Sequence, residues 1–564
     1  MEYPVRLLFA DILIEAGIDH VFGLPGGNTP FIFDGFVDKK DHFKTYLARH
    51  EGGAAVMADM YSRITGKPAV LVGQGPWIAT SGGYGIVESY MSGLPMIIIC
   101  DTSDYYSLPQ FGPYQNASGD YGGVDLQAMM KSMTKFTTLA TNPSEFLHGL
   151  QLAIKHATTG RPGPAAVLIR WNIPFEKIDM EKVHPKFYPV SGYLKDSPPC
   201  LSQQHATEIA TQLLNAGNPI MICGQGARGS NAYEEVKELA ELIGLPVATS
   251  YLGKSTLPET HDCALGTMGA IGQKIANSKV IEADLILTVG SSLAPDNTKW
   301  MAADYINPEK QTIIQIDIDS RNTGWTYPIS LGVTSDAKLA LSAIIEKIKE
   351  IGIPFDVNQR IEKLKQEKSD ADYFSESIRN STETPIAPER VVGELNKLVG
   401  ENDLLVLDGG NNRMWITHHF QTNTPGQILA GGGAAAVGYG PPAAVSAQLT
   451  APDKKVICIC GDGGMMMQLY AIEMARDLNL PVVFLVLNNS CLGNVRDYQA
   501  PERRIATEYS QTNFAGIAEG SGIKGTRVDD PEKLHDVLSS ALKSNKPELI
   551  EVIVNDEPHF KLMS

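Results

Sequence analysis

Short, unbroken runs of apolar and β-branched residues recur from end to end of this chain, and each gives way to a stretch of helical composition. Ala69-Val70-Leu71-Val72-Gly73, Met96-Ile97-Ile98-Ile99-Cys100, Pro219-Ile220-Met221-Ile222-Cys223, Leu285-Ile286-Leu287-Thr288-Val289 and Thr312-Ile313-Ile314-Gln315-Ile316 are of this kind. A strand with one wet face alternates polar and apolar residues. These runs hardly alternate, so they read as strands buried on both faces of a parallel sheet. Their alternation with helices predicts an α/β fold of doubly wound parallel sheets. At 564 residues the chain also exceeds a single hydrophobic core. Three blocks are read, at about 1–180, 200–345 and 385–564. A Pro-, Lys- and Tyr-rich connector from Glu176 to Pro199 separates the first two. The charged stretch Glu362–Arg379, then Thr382–Pro388, leads into the third.

Two further runs, Lys455-Val456-Ile457-Cys458-Ile459-Cys460 and Pro481-Val482-Val483-Phe484-Leu485-Val486-Leu487, frame the most specific motif. The first enters Gly461-Asp462-Gly463-Gly464 and a helix expected at Met465–Asp477; the second delivers Asn488-Asn489-Ser490-Cys491-Leu492-Gly493. Glycines at a helix N-terminus bring backbone N–H groups close to an anion. The Asp462 carboxylate, the Asn489 amide oxygen and the Cys491 carbonyl offer three hard oxygen ligands. Two diphosphate oxygens and a water complete an octahedron, which suits Mg²⁺. By contrast, Gly224-Gln225-Gly226 reads as the closing turn of a βα connection.

Charge and composition remove whole classes of function. A net charge of −17 argues against a nucleic-acid backbone or an anionic membrane as partner. No apolar run reaches the roughly 18 residues of a membrane span, and Met1-Glu2-Tyr3-Pro4 does not begin a signal peptide. The cysteines, seven and therefore odd in number, sit mostly in apolar strands and read as reduced core thiols. A cytoplasmic enzyme is expected.

The paired motif resembles the thiamine-diphosphate-binding motif. The resemblance runs over essentially the whole chain, to the family that contains acetolactate synthase, pyruvate oxidase, benzaldehyde lyase and the 2-oxo-acid decarboxylases, and above all to acetolactate synthase large subunits. Val21-Phe22-Gly23-Leu24-Pro25-Gly26-Gly27, Arg49-His50-Glu51-Gly52-Gly53-Ala54-Ala55, Arg161-Pro162-Gly163-Pro164 and Gly438-Tyr439-Gly440-Pro441-Pro442-Ala443-Ala444 carry it further, in the family's order. The resemblance implies a pyrimidine-binding, a central and a diphosphate- and Mg²⁺-binding domain. It implies that Glu51 hydrogen-bonds the pyrimidine nitrogen N1′ and drives the ring into the imino tautomer that takes the thiazolium C2 proton. Val437 falls where a bulky aliphatic side chain folds the cofactor, and the Ala435 carbonyl where the cofactor's amino group is accepted. Asn411 and Asn412 match diphosphate contacts, joined by Gly463, Gly464, Leu492 and Gly493. Gln115 matches a glutamine that faces the thiazolium. Gly27 and Asn28 lie on the turn where benzaldehyde lyase has an active-site histidine, at the position of Asn28. The family places its cofactor across a dimer interface, which implies a homodimer or homotetramer acting on a small carbonyl substrate.

The departures concern substrate and second cofactor. Where acetolactate synthases carry an arginine-bearing segment that contacts flavin and an acceptor carboxylate, this chain has Gly290-Ser291-Ser292-Leu293-Ala294-Pro295-Asp296. Both arginines are gone and Asp296 has the opposite charge, which argues against FAD. Thr80 replaces the asparagine of a Gly-Pro-Gly-x-x-Asn segment, and Tyr498 replaces a tryptophan that narrows the pocket. Phe111, Tyr114 and Tyr121 make the Gln115 segment aromatic. The expected chemistry is C–C bond formation or cleavage beside the carbonyl of a 2-oxo acid or 2-hydroxy ketone. Acetolactate-synthase-like carboligation is the first label, and a decarboxylase or lyase, of benzaldehyde-lyase or 2-hydroxyacyl-CoA-lyase type, the alternative. A catalytically silent paralogue is argued against by Glu51, Asp462 and Asn489.

Overall fold

The computed structural model describes residues 2–559 except Asn28, 105–114, Ser118, Asp120 and Tyr121. The expectations for Asn28, Phe111, Tyr114 and Tyr121 therefore lie outside the described residues. The apolar runs form three six-stranded sheets, parallel throughout, and one two-stranded antiparallel pairing of Glu2–Pro4 with Lys177–Asp179. In the first sheet the strands lie in the order second, first, third, fourth, sixth, fifth in chain sequence, from Lys44–Leu47 through His20–Gly23, Ala69–Gln74, Met96–Asp101 and Pro164–Ile169 to Phe136–Ala140. The last sheet repeats that order, from Ile428–Ala430 through Asp403–Leu407, Lys455–Gly461, Val483–Asn488 and Glu548–Ile553 to Lys524–Val528. The middle sheet runs third, second, first, fourth, fifth, sixth, centred on Pro219–Cys223 and Leu285–Val289. The central strands are buried along their whole length, the cause of their unbroken apolar sequence.

The chain divides into two compact units. One comprises residues 1–197, 431–452 and 467–480, the other 198–430, 453–466 and 481–564. In the first unit Phe9, Phe36, Phe146, Val70, Ile97 and Val167 pack one face of the sheet. Helix Gly440–Thr450, late in sequence, belongs to this unit and lies on helix Glu51–Thr65, where Ser446 Oγ donates to the Met57 carbonyl at 2.7 Å. Its first nine residues are buried, which the small side chains of Gly440-Pro441-Pro442-Ala443-Ala444 permit. The second unit holds the middle and last sheets, each with its own apolar core. There, a Cβ on Gly224 would meet the Gly290 carbonyl oxygen at 2.3 Å, and the Gly226 N–H donates to that oxygen at 2.9 Å. The Gly-Gln-Gly turn is spent on packing two βα connections together.

The helix expected at Met465–Asp477 is two, Asp462–Met467 and Tyr470–Asp477. The break falls at Gln468 and Leu469. Among the described residues no helix is long and apolar enough to cross a membrane. Six cysteines are buried free thiols, and Cys200 is exposed.

Candidate active site

In doubly wound sheets ligands bind beyond the carboxyl ends of the strands, where the strand order reverses. In both the first and the last sheet that reversal lies between the first and third strands, and the candidate residues follow those ends. In the second unit Asp408–Asn412 follows strand Asp403–Leu407, Asp462 follows Lys455–Gly461, and Asn489 follows Val483–Asn488. Asp462 is buried, with Oδ1 accepting from the Gly463 N–H at 2.7 Å and the Tyr509 hydroxyl at 2.8 Å, and Oδ2 from the Ser490 N–H at 2.6 Å. Burial pushes its carboxyl above the ordinary range, against Tyr509 and the N–H groups of Gly463, Ser490 and Cys491, which pull it down. Among the described residues no lysine or arginine pairs with it. Ser490 takes a left-handed φ of 58°, and the turn is pinned where the Leu492 N–H donates to the Thr507 carbonyl at 2.8 Å and the Tyr509 N–H to the Ser490 carbonyl at 3.1 Å.

Gly463 lies close under its neighbours: a Cβ there would stand 2.9 Å from Leu492 Cδ2 and 3.2 Å from the Tyr509 hydroxyl, so those side chains would have to give way. A Cβ on Gly493 would crowd the side-chain amides of Asn411 and Asn489 at 3.0 and 3.2 Å, so these residues come together. Asn411 Nδ2 donates to Asp497 at 2.9 Å and Asn412 Nδ2 to the Gly409 carbonyl at 2.9 Å. Each NH₂ has a second hydrogen, while Oδ1 of both is buried without a hydrogen-bond partner among the described residues. Buried carboxylate, unpartnered amide oxygens and a side-chain-free turn fit a metal-bound anion.

In the first unit Glu51 opens helix Glu51–Thr65, behind His50, whose Nδ1 accepts the Gly52 N–H at 3.1 Å. Among the described residues nothing hydrogen-bonds the Glu51 carboxyl. A Cβ on Gly52 would meet Tyr84 at 2.6 Å, and one on Gly53 the Tyr470 hydroxyl at 2.3 Å, so the helix start is held by close packing. Gly27, at φ 56°, has no room for a side chain, because Gln74 Nε2 lies 2.9 Å from its Cβ position. Thr80 is exposed and its hydroxyl donates to the Pro76 carbonyl at 2.7 Å. Gln115 is half-buried in a turn at φ 53°. The segment bearing Ala435 and Val437 is held from below. The Glu88 carboxylate accepts four consecutive backbone N–H groups, from Gly432 and Gly433 at 2.8 and 2.9 Å on Oε1 and from Ala434 and Ala435 at 2.8 and 3.2 Å on Oε2. Ala435 sits at φ 55°, an unfavourable conformation for a residue with a side chain, and Val437 is exposed.

Glu88 is itself anchored. Arg63 reaches it and Asp59 at 3.2 Å each, and the Tyr439 hydroxyl donates to Asp59 at 2.5 Å. Burial raises the Glu88 carboxyl, but Arg63, Ser92 and the loop N–H groups outweigh it and hold it below the usual carboxylate range. Sequence reasoning missed Glu88, Tyr509 and Gln74. Glu88 lies in a helix where a glutamate reads as solvated, and Tyr509 is remote in sequence from Asp462. Gln74 alone carried a signal, as the polar last residue of an apolar strand, and its Nε2 is buried without a partner among the described residues.

The chain's matches to known proteins agree with this arrangement. Residues 5–125 match the thiamine pyrophosphate enzyme N-terminal TPP binding domain, 206–344 the central domain and 408–552 the C-terminal TPP binding domain. The acetolactate synthase large subunit of Buchnera aphidicola subsp. Acyrthosiphon pisum is 31% identical over 543 residues, covering 94% of this chain and 90% of its own. That of Buchnera aphidicola subsp. Schizaphis graminum is 30% identical over 561 residues, covering 97% and 94%. A probable acetolactate synthase large subunit of Methanococcus aeolicus is 29% identical over 566 residues, covering 95% and 90%. With both TPP-binding folds present and relatives aligned along nearly the full chain, this protein belongs to the thiamine pyrophosphate enzyme family and is a thiamine-diphosphate-dependent enzyme similar to acetolactate synthase large subunits.

Proposed function

We propose that the enzyme is Mg²⁺-dependent and makes or breaks a C–C bond beside a carbonyl, as an acetolactate-synthase-like carboligase acting on a 2-oxo acid or 2-hydroxy ketone. The observation that carries this reading is Asp462, a buried carboxylate with no basic partner among the described residues, on a turn where Gly463 packs closely under Leu492 and Tyr509. With Asn489 and the Cys491 carbonyl it makes a hard-oxygen set suited to Mg²⁺. When bound, thiamine diphosphate supplies a nucleophilic carbon and an electron sink. The chain's own groups then position and polarise. Glu51 shares a proton with the pyrimidine N1′, the Ala435 carbonyl accepts from the amino group, and Val437 wedges the cofactor. Asn411, Asn412, Gly463, Gly464, Leu492 and Gly493 hold the diphosphate, Thr80 is a further cofactor contact, and Gln115 and Gly27 serve the reacting end. The working form is a homo-oligomer, two-fold symmetry being the commonest.

A decarboxylase or lyase is the second reading, and Asp296 favours it. Its carboxylate is half-buried and accepts from the Asn297 N–H at 3.0 Å, at the place where relatives of this fold would hold an acceptor's carboxylate with arginine. Flavin has no part in either reading. Asp462→Ala tests the carrying observation: Mg²⁺-supported binding of thiamine diphosphate, measured by calorimetry, should weaken at least about 10²-fold with the fold intact. Wild-type affinity in that variant would sink the metal assignment.

A further inference from the structure

Helix Asn411–His419 ends in two adjacent histidines, and the segment after helix Val357–Asp370 brings Glu376 against both. Glu376 Oε1 stands 3.8 Å from His418 Nε2, and Glu376 Oε2 stands 3.7 Å from His419 Nδ1. One ligand atom from each of the three residues lies within 4.8 Å of the other two. These gaps are too long for hydrogen bonds. They are a few tenths of an ångström wider than the roughly 3.3 Å between ligands around a tetrahedral ion with bonds of about 2.0 Å.

Two further observations point into the gap. His419 is 3% exposed, yet among the described residues neither ring nitrogen has a hydrogen-bond partner, and Glu376 Oε2 lacks one too. A neutral imidazole carries an N–H and a lone pair, and burying both unmet is costly unless something unseen meets them. His418 Nδ1 faces the Ile271 carbonyl at 2.9 Å, which fixes the tautomer that leaves the Nε2 lone pair turned to Glu376. The rings are also held, His419 stacking on Trp415 at an interplanar angle of 10°. The Arg379 guanidinium lies 3.5 Å from Glu376 Oε2 and shares that oxygen's charge, leaving Oε1 toward His418. An Arg379–Glu376 pair with idle histidines is the rival account, and it leaves the His419 nitrogens unexplained.

We propose that Glu376, His418 and His419 form a structural binding site for a borderline divalent cation of the Zn²⁺ type. Two imidazoles and one carboxylate select such an ion over Mg²⁺, and water takes the fourth position. The ion clips the segment around Glu376 to the end of a helix whose other end carries Asn411 and Asn412, about 12 Å away along the axis. It is therefore a different site from the Mg²⁺ site proposed at Asp462 and does not depend on it.

Full-length protein purified without a histidine tag and without chelator is the sample, read by elemental mass spectrometry. About one equivalent of zinc or a similar transition ion per chain is expected. After chelator treatment, Zn²⁺ should titrate back with one-to-one stoichiometry by calorimetry, and Co²⁺ should give the visible bands of a four-coordinate imidazole site. Glu376→Gln should weaken zinc at least about 10-fold, and the pair His418→Gln with His419→Phe at least about 10²-fold, more than loss of an outer-shell partner costs. Phe keeps the stack on Trp415, and unchanged Mg²⁺–thiamine diphosphate binding reports an intact fold. The proposal is overturned if the wild-type protein carries no such ion and takes up neither Zn²⁺ nor Co²⁺, or if the variants keep wild-type zinc affinity.

Discussion

At the scale of single residues, the chemistry rests on carboxylates whose surroundings differ. Glu51 has no hydrogen-bonding protein partner among the described residues, as a group reserved for a ligand should. Glu51→Gln keeps size and one hydrogen bond but cannot share a proton. Thiamine diphosphate should still bind, while exchange of its C2 proton, followed by NMR after acid quench, slows at least about 10²-fold; wild-type exchange would leave Glu51 a structural role only. Glu88 is the opposite case, with both oxygens committed to the loop at 432–435. In Glu88→Gln an NH₂ group faces N–H donors, so two of the four bonds are lost, each worth about 1.5–3 kcal/mol when the acceptor is charged. Amide exchange at 432–435 should quicken at least about 10-fold, with weaker cofactor binding; unchanged protection would mean the loop is held by something else. Asp462 and Glu51 were legible from short motifs because glycine neighbours mark them. Glu88 was not, since its partners are backbone amides that leave no trace in residue type.

At the scale of elements, strands were the most legible part because burial on both faces removes polar residues from them. Helix ends were less so. The run from Met465 to Asp477 keeps helical composition across Gln468 and Leu469, so nothing in its residue types marks where the structure splits it into two helices. Strand order was illegible, because a parallel strand reads alike at any place in its sheet. One strand end carries a titration. Burial, with a smaller push from Asp104 and against the N–H groups of Gly75 and Ser103, brings the Asp101 carboxyl up to about 6. A carboxyl raised above its unfolded value contributes stability that is whole below about pH 4 and lost as pH rises through about 6. Asp101→Asn should therefore gain on the wild type between pH 4 and pH 7, by up to about 3 kcal/mol. Melting temperatures across that range read the slope, and a pH-independent difference would mean Asp101 is ionised throughout.

At the scale of the whole molecule, the open matter is which carbonyl accepts. On the proposed reading Asp296 faces the acceptor and repels a carboxylate, so with pyruvate and an aldehyde together the mixed 2-hydroxy ketone should exceed acetolactate. Chromatography of the products decides, and acetolactate in excess would return the enzyme to plain acetolactate synthesis. The four amides converging on Glu88 also decide what the loop at 432–435 can bind. Successive backbone N–H groups make a concavity that welcomes any anion. Here the protein has filled that concavity with an anion of its own, so a phosphate arriving at 432–435 meets a negative charge and spent donors. After Asp462, by contrast, the Gly463 N–H is bonded to the Asp462 carboxylate next to it and not to a distant helix glutamate. The loop at 432–435 thus carries a permanent counter-ion of its own, and its amides serve to fix the backbone and not to recruit a phosphate.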